Sequence, residues 1–228
     1  QPATRLRSLR PARGHVHSAM NCLARCCRWG QGDAAQGSAE ESERVRLRER
    51  GAGVRVFEGI DGDTVSGDGA VLGGAEVEQD AAYWEVRVAT MPEDGGFCIG
   101  VARDSVPLDG PLAGAPSPQV LGLAAEGEAQ DTAPAPPPAA WALSSSSTAL
   151  KEGDVVGVAF GQGELPNLRL FLNGEPLERE SVQHVRGAVR PALSVRGGAA
   201  LAVAFDRDSF RFRPPAKHTE LLPTRSLL

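Results

Sequence analysis

EGDVVGVAFGQGELPNLRLFLNGEPL, residues 152–177, is the stretch that decides the fold. It contains two apolar segments, residues 155–160 and 168–172, each bounded by residues that favour turns. Asn173-Gly174 follows the second segment, and this dipeptide readily adopts the two consecutive positive φ angles that a tight hairpin needs. The stretch therefore predicts a β-meander that leaves little room for a helix.

The composition favours the same fold class for the rest of the chain. Its 228 residues include 27 glycines and 17 prolines, which make turns frequent and interrupt helices. This length suits one all-β domain with tails, because single sandwich domains are often large.

The charge is unevenly distributed. Residues 1–30 contain six arginines and no acidic residue, so the formal net charge of −5 leaves −11 for residues 31–228. Because phosphate contacts need a basic face, the acidic body argues against nucleic-acid binding.

The four cysteines are typical of a protein from a reducing compartment, and we expect a cytoplasmic location. Three of them lie close together near the start, whereas a secreted disulfide scaffold would spread them through the fold. No apolar segment approaches the roughly 20 residues of a membrane-spanning helix, and none after the early arginines indicates a secretory signal.

Residues 1–43 are predicted to form a flexible N-terminal tail. Residues 1–19 are basic and lack periodicity, and residues 30–43 form a small, polar, acidic linker. A mitochondrial transit peptide would also be rich in arginine and serine. An untranslated or disordered extension is the preferred interpretation, because Met20 is a plausible start directly before the cysteines.

Several short segments show the alternation of β-strands. Val45 and Leu47 alternate with arginines, which predicts an edge strand, although a short charged helix is the alternative. In residues 82–88, Tyr83 and Glu85 share one face of a half-buried antiparallel strand. Residues 96–101 are nearly all apolar, as in a central strand that is covered on both faces.

Glycine and proline mark the boundaries between strands. Gly67-Asp68-Gly69 predicts a hairpin, and the prolines between residues 130 and 140 predict an extended or flexible insertion. A weaker strand is predicted at residues 120–124. Residues 190–195 and 200–205 predict two strands joined by Gly197-Gly198, and Pro214-Pro215 is expected to end the domain. The segments together predict an antiparallel β-sandwich over residues 44–214 with a C-terminal tail at 215–228.

The order of these segments resembles the SPRY domain family. The matching motifs are Tyr83-Trp84-Glu85-Val86, Gly100-Val101-Ala102, residues 152–158, residues 170–174 and Arg190-Pro191-Ala192. One member is especially similar, through Cys26-Cys27-Arg28, residues 185–189 and residues 212–215. The chain departs from the family in its proline-rich insertion at 131–143 and before Met20.

This resemblance implies a bent, concanavalin-like β-sandwich that binds protein ligands through its loops and has no catalytic site. Loops are also the expected binding surface on physical grounds, because they vary without unfolding the scaffold. The candidate loops are residues 60–69, 103–118, 126–150 and 161–167. The candidate contact residues within them are Asp61, Asp63, Asp68, Arg103, Asp104, Gln162 and Glu164.

The sequence does not match the patterns of a metal, cofactor or catalytic site. Counting from Asp61 as a calcium loop, the sixth residue is Ser66 rather than glycine and the twelfth is Leu72 rather than glutamate. Residues 67–73 lack both the spacing and the helix of a dinucleotide loop. Cys98 lies in an apolar segment, which predicts a buried, inert thiol. We therefore predict no metal, no cofactor and no enzyme activity.

Cys22, Cys26 and Cys27 are candidates for S-palmitoylation, because arginines flank them and could meet anionic lipid head groups. A zinc site with His15 and His17 is a rival interpretation, but its spacing matches no standard knuckle. Incidental cysteines in a disordered tail are the third interpretation.

Three functions remain open. The first is a cytoplasmic, monomeric, non-enzymatic protein-interaction module for an unidentified protein, whose N-terminal tail would be tethered to a membrane if its cysteines are acylated. The second is a peripheral membrane protein whose tail drives binding and whose domain is a spacer. A sandwich that binds or hydrolyses a small molecule is the third.

Overall fold

The computed structural model describes residues 44–60, 62–112 and 138–223, and these residues form fourteen strands and two short 3₁₀ helices. The strands are β1 (Leu47–Arg50), β2 (Val54–Gly59), β3 (Gly62–Gly67), β4 (Gly69–Gly73), β5 (Ala81–Thr90), β6 (Gly96–Ala102), β7 (Ala140–Ser144), β8 (Val155–Gly161), β9 (Asn167–Leu172), β10 (Glu175–Pro176), β11 (Val182–Gln183), β12 (Arg190–Arg196), β13 (Ala200–Ala204) and β14 (Thr219–Glu220). The 3₁₀ helices are Glu178–Glu180 and Arg207–Ser209.

The strands form two sheets, which confirms the predicted all-β sandwich. The smaller sheet has the order β1-β4-β12-β6-β7, and the larger sheet has the order β10-β9-β8-β5-β13-β3-β2. Two short strands join the larger sheet beside this path, β11 on β9 and β14 on β5. Pairing is antiparallel except between β14 and β5. No helix within the described residues is long and apolar enough to cross a membrane.

The meander predicted at residues 152–177 is confirmed as β8, β9 and β10. Asn173 and Gly174 form the two-residue turn between β9 and β10, with φ angles of 50° and 87°. The Asn173 side chain accepts a hydrogen bond from the Val155 amide at 2.9 Å and donates one to Asp154 at 2.9 Å. Asn173 thus closes the β9–β10 hairpin and also holds the first residue of β8.

Large apolar side chains fill the space between the two sheets. Trp84, Ile99, Leu170 and Leu193 come from four different strands and are each at most 1% exposed. All seven residues of β6 are buried, as predicted for a central strand. Close packing of this kind makes the sandwich a rigid support for its loops.

The first predicted strand is also confirmed. β1 lies at the edge of the smaller sheet, and Val45 and Leu47 enter the core, which excludes the helical alternative. Arg46 is not a fully solvated arginine, however, because its guanidinium binds the Asp63 carboxylate at 2.8 Å.

The hairpin predicted around Gly67-Asp68-Gly69 is wrong. β3 pairs with β2 and β13 in the larger sheet, whereas β4 pairs with β1 and β12 in the smaller sheet. Asp68 is the single residue between them, so the chain crosses from one sheet to the other at this point. Turn residues marked the break between the strands but could not indicate which sheet each strand joins.

The face of β5 that was predicted to be partly exposed is covered in the structure. Tyr83 and Glu85 are 1% and 3% exposed, and Phe210 packs edge-on against the Tyr83 ring at 5.1 Å between centroids. The packed part of the chain also continues past residue 214, because β14 pairs with β5 and Leu221 is 3% exposed. We call residues 205–221 the C-terminal strap; within it, Phe210 packs on the outward Tyr83 ring of the larger sheet, and β14 joins that sheet beside β5.

Strand β7 was not predicted, nor were the two-residue strands β11 and β14. β7 follows directly on the proline-rich segment and lies inside the candidate loop 126–150, where Trp141 and Leu143 face the core. Residues 103–112 cover the outer face of the smaller sheet, and Cys98 is buried beneath them with its thiol 3.5 Å from the Leu112 carbonyl, as predicted. The strand predicted at 120–124 lies outside the described residues.

Candidate functional site

Four loops meet at one end of the sandwich. β6 ends and β12 begins there, as the pairing of Ala102 with Arg190 shows, and the β5–β8 pair reaches the same end. Hydrogen bonds join the loops in pairs: Val77 N to Val189 O at 2.9 Å, Gln162 N to Asp80 O at 2.8 Å, and Val185 N to Pro166 O at 3.0 Å. We call residues 74–80, 103–104, 162–166 and 184–190 the loop end.

The loop end contains an open cleft of about 450 Å³, which we call the loop cleft. Residues 76–78 form one wall, and residues 185, 187 and 188 form another. Phe160, at the end of β8, is 1% exposed and lies at the base. This volume falls within the range of about 300–1,000 Å³ that ligand sites commonly have.

Carboxylates outnumber cations beside the loop cleft. Arg190 lies 2.8 Å from Asp104, and its guanidinium is also 3.6 Å from Glu76 and 3.7 Å from Glu49. One guanidinium therefore faces three carboxylates, and the group keeps a net negative charge. Asp104 was predicted as a contact residue, and the structure places it in this ion-pair group.

Arg103 supports the 184–190 segment of the loop end and does not point freely to solvent. Its guanidinium lies over the Trp141 ring at 5.4 Å from the centroid and donates a hydrogen bond to the Arg186 carbonyl at 2.7 Å. The contact with Arg186 holds the 184–190 segment against the end of β6. We therefore assign Arg103 a positioning role in the loop end.

Gln162 and Glu164 lie in the β8–β9 loop, as predicted. The Gln162 amide donates a hydrogen bond to the Val77 carbonyl and so joins the β8–β9 loop to the 76–78 wall of the loop cleft. Glu164 is exposed and does not line the loop cleft. Of the seven candidate contact residues, the structure thus brings together Arg103, Asp104, Gln162 and Glu164.

The other candidates lie elsewhere. Asp68 accepts a hydrogen bond from the Gly197 amide at 3.1 Å. Gly197 follows the last residue of β12, and Arg190 is its first, so this contact lies at the opposite end of that strand from the loop end. Asp63 is not a loop residue but lies in β3, and at 1% exposed its side chain has no free surface for a partner. Asp61 and the cysteines at 22, 26 and 27 lie outside the described residues.

Two segments of the loop end were not predicted as candidates. They are residues 74–80 and 184–189, which supply both walls of the loop cleft. Glu76-Val77-Glu78 carried a usable signal, because an apolar residue between two acids suggests one buried and two outward side chains. Val77 is indeed 4% exposed. Residues 184–189 carried no comparable signal.

A second cavity of about 450 Å³ lies on the outer face of the larger sheet, beside the C-terminal strap. Its charged lining residues are Arg87, Arg211, Glu85 and Asp208, so the two signs balance. Both Glu85 oxygens are already bonded to the strap and to Tyr83. Burial, and then the charge and hydrogen bond of Glu85, raise the pKa of the Tyr83 hydroxyl far above its ordinary value.

The part of the chain that the structure describes contains no group of three or more histidine, cysteine or acidic residues placed to hold a metal ion.

Comparisons with known proteins agree with the sequence motifs. No family model matches the chain. SPRY domain-containing protein 7 of Homo sapiens is 27% identical over 206 residues, which cover 88% of this chain and 94% of the relative, and the Mus musculus and Bos taurus proteins match equally. The chain is similar to SPRY domain-containing protein 7. The predicted resemblance to SPRY proteins is thereby confirmed over most of the sequence.

Two solved structures are similar at low sequence identity. The SPRY domain of human HERC1 is 13% identical and has a TM-score of 0.39, covering 67% of this chain and 94% of that domain. The NEUZ (NHR) domain in Neuralized from Drosophila melanogaster is 12% identical and has a TM-score of 0.42, covering 73% and 95%.

Proposed function

We propose that this protein is a non-enzymatic protein-interaction module that holds a segment of its partner in the loop cleft. The observation that carries the proposal is the loop cleft itself, a concave site of about 450 Å³ built by loops on a rigid sandwich. Concave sites are where proteins most often bind ligands, and loops on rigid scaffolds are the usual place for recognition.

The similarity to SPRY domain-containing protein 7 supports this function, because SPRY-type domains generally mediate protein–protein interaction. The filled core is consistent with it as well, since large side chains occupy the space between the sheets. The loop cleft is a better candidate than the cavity beside the strap, because the Glu85 carboxylate of that cavity is already bonded to the strap.

Filling the loop cleft is expected to remove the partner. Ala188 lines the cleft and is exposed, so Ala188→Trp would occupy the space without disturbing the core. We expect affinity capture with quantitative mass spectrometry to recover the wild-type partners at least tenfold less with Ala188→Trp, because steric exclusion costs more than a single rim contact.

The matched control is Ala149→Trp, an exposed alanine outside the loop cleft. It should retain the partners, and both variants should melt within a few degrees of the wild type. Full partner recovery by a folded Ala188→Trp variant would refute the loop cleft as the binding site.

A second proposal concerns the N-terminal tail. Three cysteines within six residues, at 22, 26 and 27, stand beside Arg25 and Arg28. Acyl chains there would insert into a bilayer while the arginines meet anionic head groups, and stable anchoring needs at least two such signals. The protein would then divide between the cytoplasm and a membrane surface.

Serine substitution at all three cysteines is expected to abolish acylation and release the protein from membranes. Hydroxylamine-dependent acyl exchange on the full-length protein would detect the thioesters, and fractionation would follow the location. Cys98→Ser is the control, because Cys98 is buried and should not be acylated. A wild-type tail with no exchangeable acyl group would rule this proposal out.

A further inference from the structure

We infer that the loop cleft binds a partner segment through a basic side chain, arginine or lysine, next to an apolar residue. This inference rests on the proposed function and adds the chemistry of the ligand. It depends on three properties of the loop cleft: the sign of its charge, the absence of a counter-ion for one carboxylate, and its apolar base.

The titratable residues that line the loop cleft are Glu76 and Glu78, and both are acidic. The described residues place no lysine, arginine or histidine in the lining. This distinguishes the loop cleft from the cavity beside the C-terminal strap, where the two signs balance. A cationic ligand group is therefore favoured over an anionic one.

Nearby cations leave this negative charge largely uncompensated. Arg190 is shared among three carboxylates, and its shortest contact is to Asp104 rather than to Glu76. Arg103 is held by Trp141 and the Arg186 carbonyl. Arg186 and His184 are exposed beside the cleft wall, and Asp80 and Glu164 are exposed at the same end. The acids remain in excess.

Glu78 is the residue most available to a partner. It is exposed, and none of the ion pairs among the described residues includes it. Its neighbour Val77 is fixed by hydrogen bonds from its amide to Val189 and from Gln162 to its carbonyl. Because Glu76 and Glu78 flank this fixed residue, a guanidinium entering the cleft would meet two carboxylates on one segment.

The base of the loop cleft suits the stem of such a side chain. Val77, Phe160 and Val185 line it and are each at most 4% exposed, and Pro166 adds a further apolar surface. Arginine and lysine bury their methylene groups along apolar surfaces while the charged head remains at a polar rim. The volume of about 450 Å³ leaves room for a second, apolar side chain.

Panning a random twelve-residue peptide library on phage against the full-length protein tests the inference. We expect the wild type to enrich peptides with arginine or lysine at one position beside an apolar residue. Glu78→Gln should weaken binding of the enriched synthetic peptides about tenfold, as expected when a hydrogen bond to a charged group is lost. Raising the salt concentration should reduce the difference in affinity between the wild type and Glu78→Gln.

Glu164→Gln is the matched control, because Glu164 is exposed at the same end but does not line the loop cleft. It should change the affinities for the enriched peptides by less than about twofold relative to the wild type, the range for surface charges outside a contact. Glu78→Lys should shift the enriched peptides from basic to acidic residues.

The outcomes separate this inference from the proposed function. Enriched peptides without a basic residue, or an unchanged affinity for Glu78→Gln, would overturn the inference while loss of binding in Ala188→Trp still upheld the loop cleft as the site. Equal binding by Ala188→Trp, or no enriched peptide at all, would overturn both.

Discussion

Replacing Asp63 by alanine is expected to lower the free energy of unfolding by about 3 kcal/mol, as is typical when one partner of a buried ion pair is removed. The Asp63 side chain is 1% exposed. One of its carboxylate oxygens accepts a hydrogen bond from Arg46 at 2.8 Å, and the other accepts one from the Leu47 amide at 2.8 Å. The substitution would leave a guanidinium and a buried backbone donor without this acceptor.

The position of Asp63 explains the size of this effect. Asp63 lies in β3 of the larger sheet, whereas Leu47 begins β1 at the edge of the smaller sheet. The carboxylate therefore links the two layers at the place where the chain enters the domain. Loss of the link should also release Val45 and Leu47, which are 7% and 5% exposed.

Urea denaturation of Asp63→Ala, Arg46→Ala and the double variant would measure the coupling between the two side chains. The exposed Asp94→Ala is the control and should change the stability by less than about 0.5 kcal/mol. A midpoint for Asp63→Ala that matches the control would contradict the proposed link. Arg46→Ala alone should also be strongly destabilising, because it leaves the buried Asp63 carboxylate without its counter-ion.

Local patterns predicted most strands but not their distribution between the sheets. The meander, β5, β6, β12 and β13 were each visible from alternation, apolar runs or turn residues. The crossing at Asp68 resembles a hairpin in sequence, because turn chemistry is the same whether the next strand pairs back or joins another sheet. β7 was missed because a proline-rich segment precedes it, and its pairing with β6 is a tertiary effect.

Only part of the candidate site was predicted, and the reason is related. Arg103, Asp104, Gln162 and Glu164 were chosen because they follow predicted strands, and those strands do end at the loop end. The 74–80 and 184–189 segments entered the site only through contacts between residues far apart in sequence, such as Val77 with Val189. Sequence spacing does not show which loops of a sandwich lie side by side.

Replacing Glu85 by alanine is expected to release the C-terminal strap and to lower the free energy of unfolding by about 3 kcal/mol, because three donors, one buried and two partly buried, lose their acceptor. Glu85 accepts hydrogen bonds from the Tyr83 hydroxyl at 3.0 Å, the Phe212 amide at 2.9 Å and the Arg211 amide at 2.6 Å. Alternation in β5 had placed Glu85 on the less buried face, and the strap is what buries it.

Hydrogen exchange would distinguish loss of the strap from general destabilisation. In Glu85→Ala, the Arg211 and Phe212 amides should lose protection, while the amides of β6, between β12 and β7 in the smaller sheet, should keep theirs up to the global unfolding limit. Tyr83→Phe is the matched control, since it removes one of the three hydrogen bonds and keeps the ring that packs on Phe210. It should cost about 1 kcal/mol and leave both strap amides protected. Unchanged exchange at these two amides in Glu85→Ala would show that contacts such as Phe210 on Tyr83, and not the carboxylate, hold the strap to the sheet.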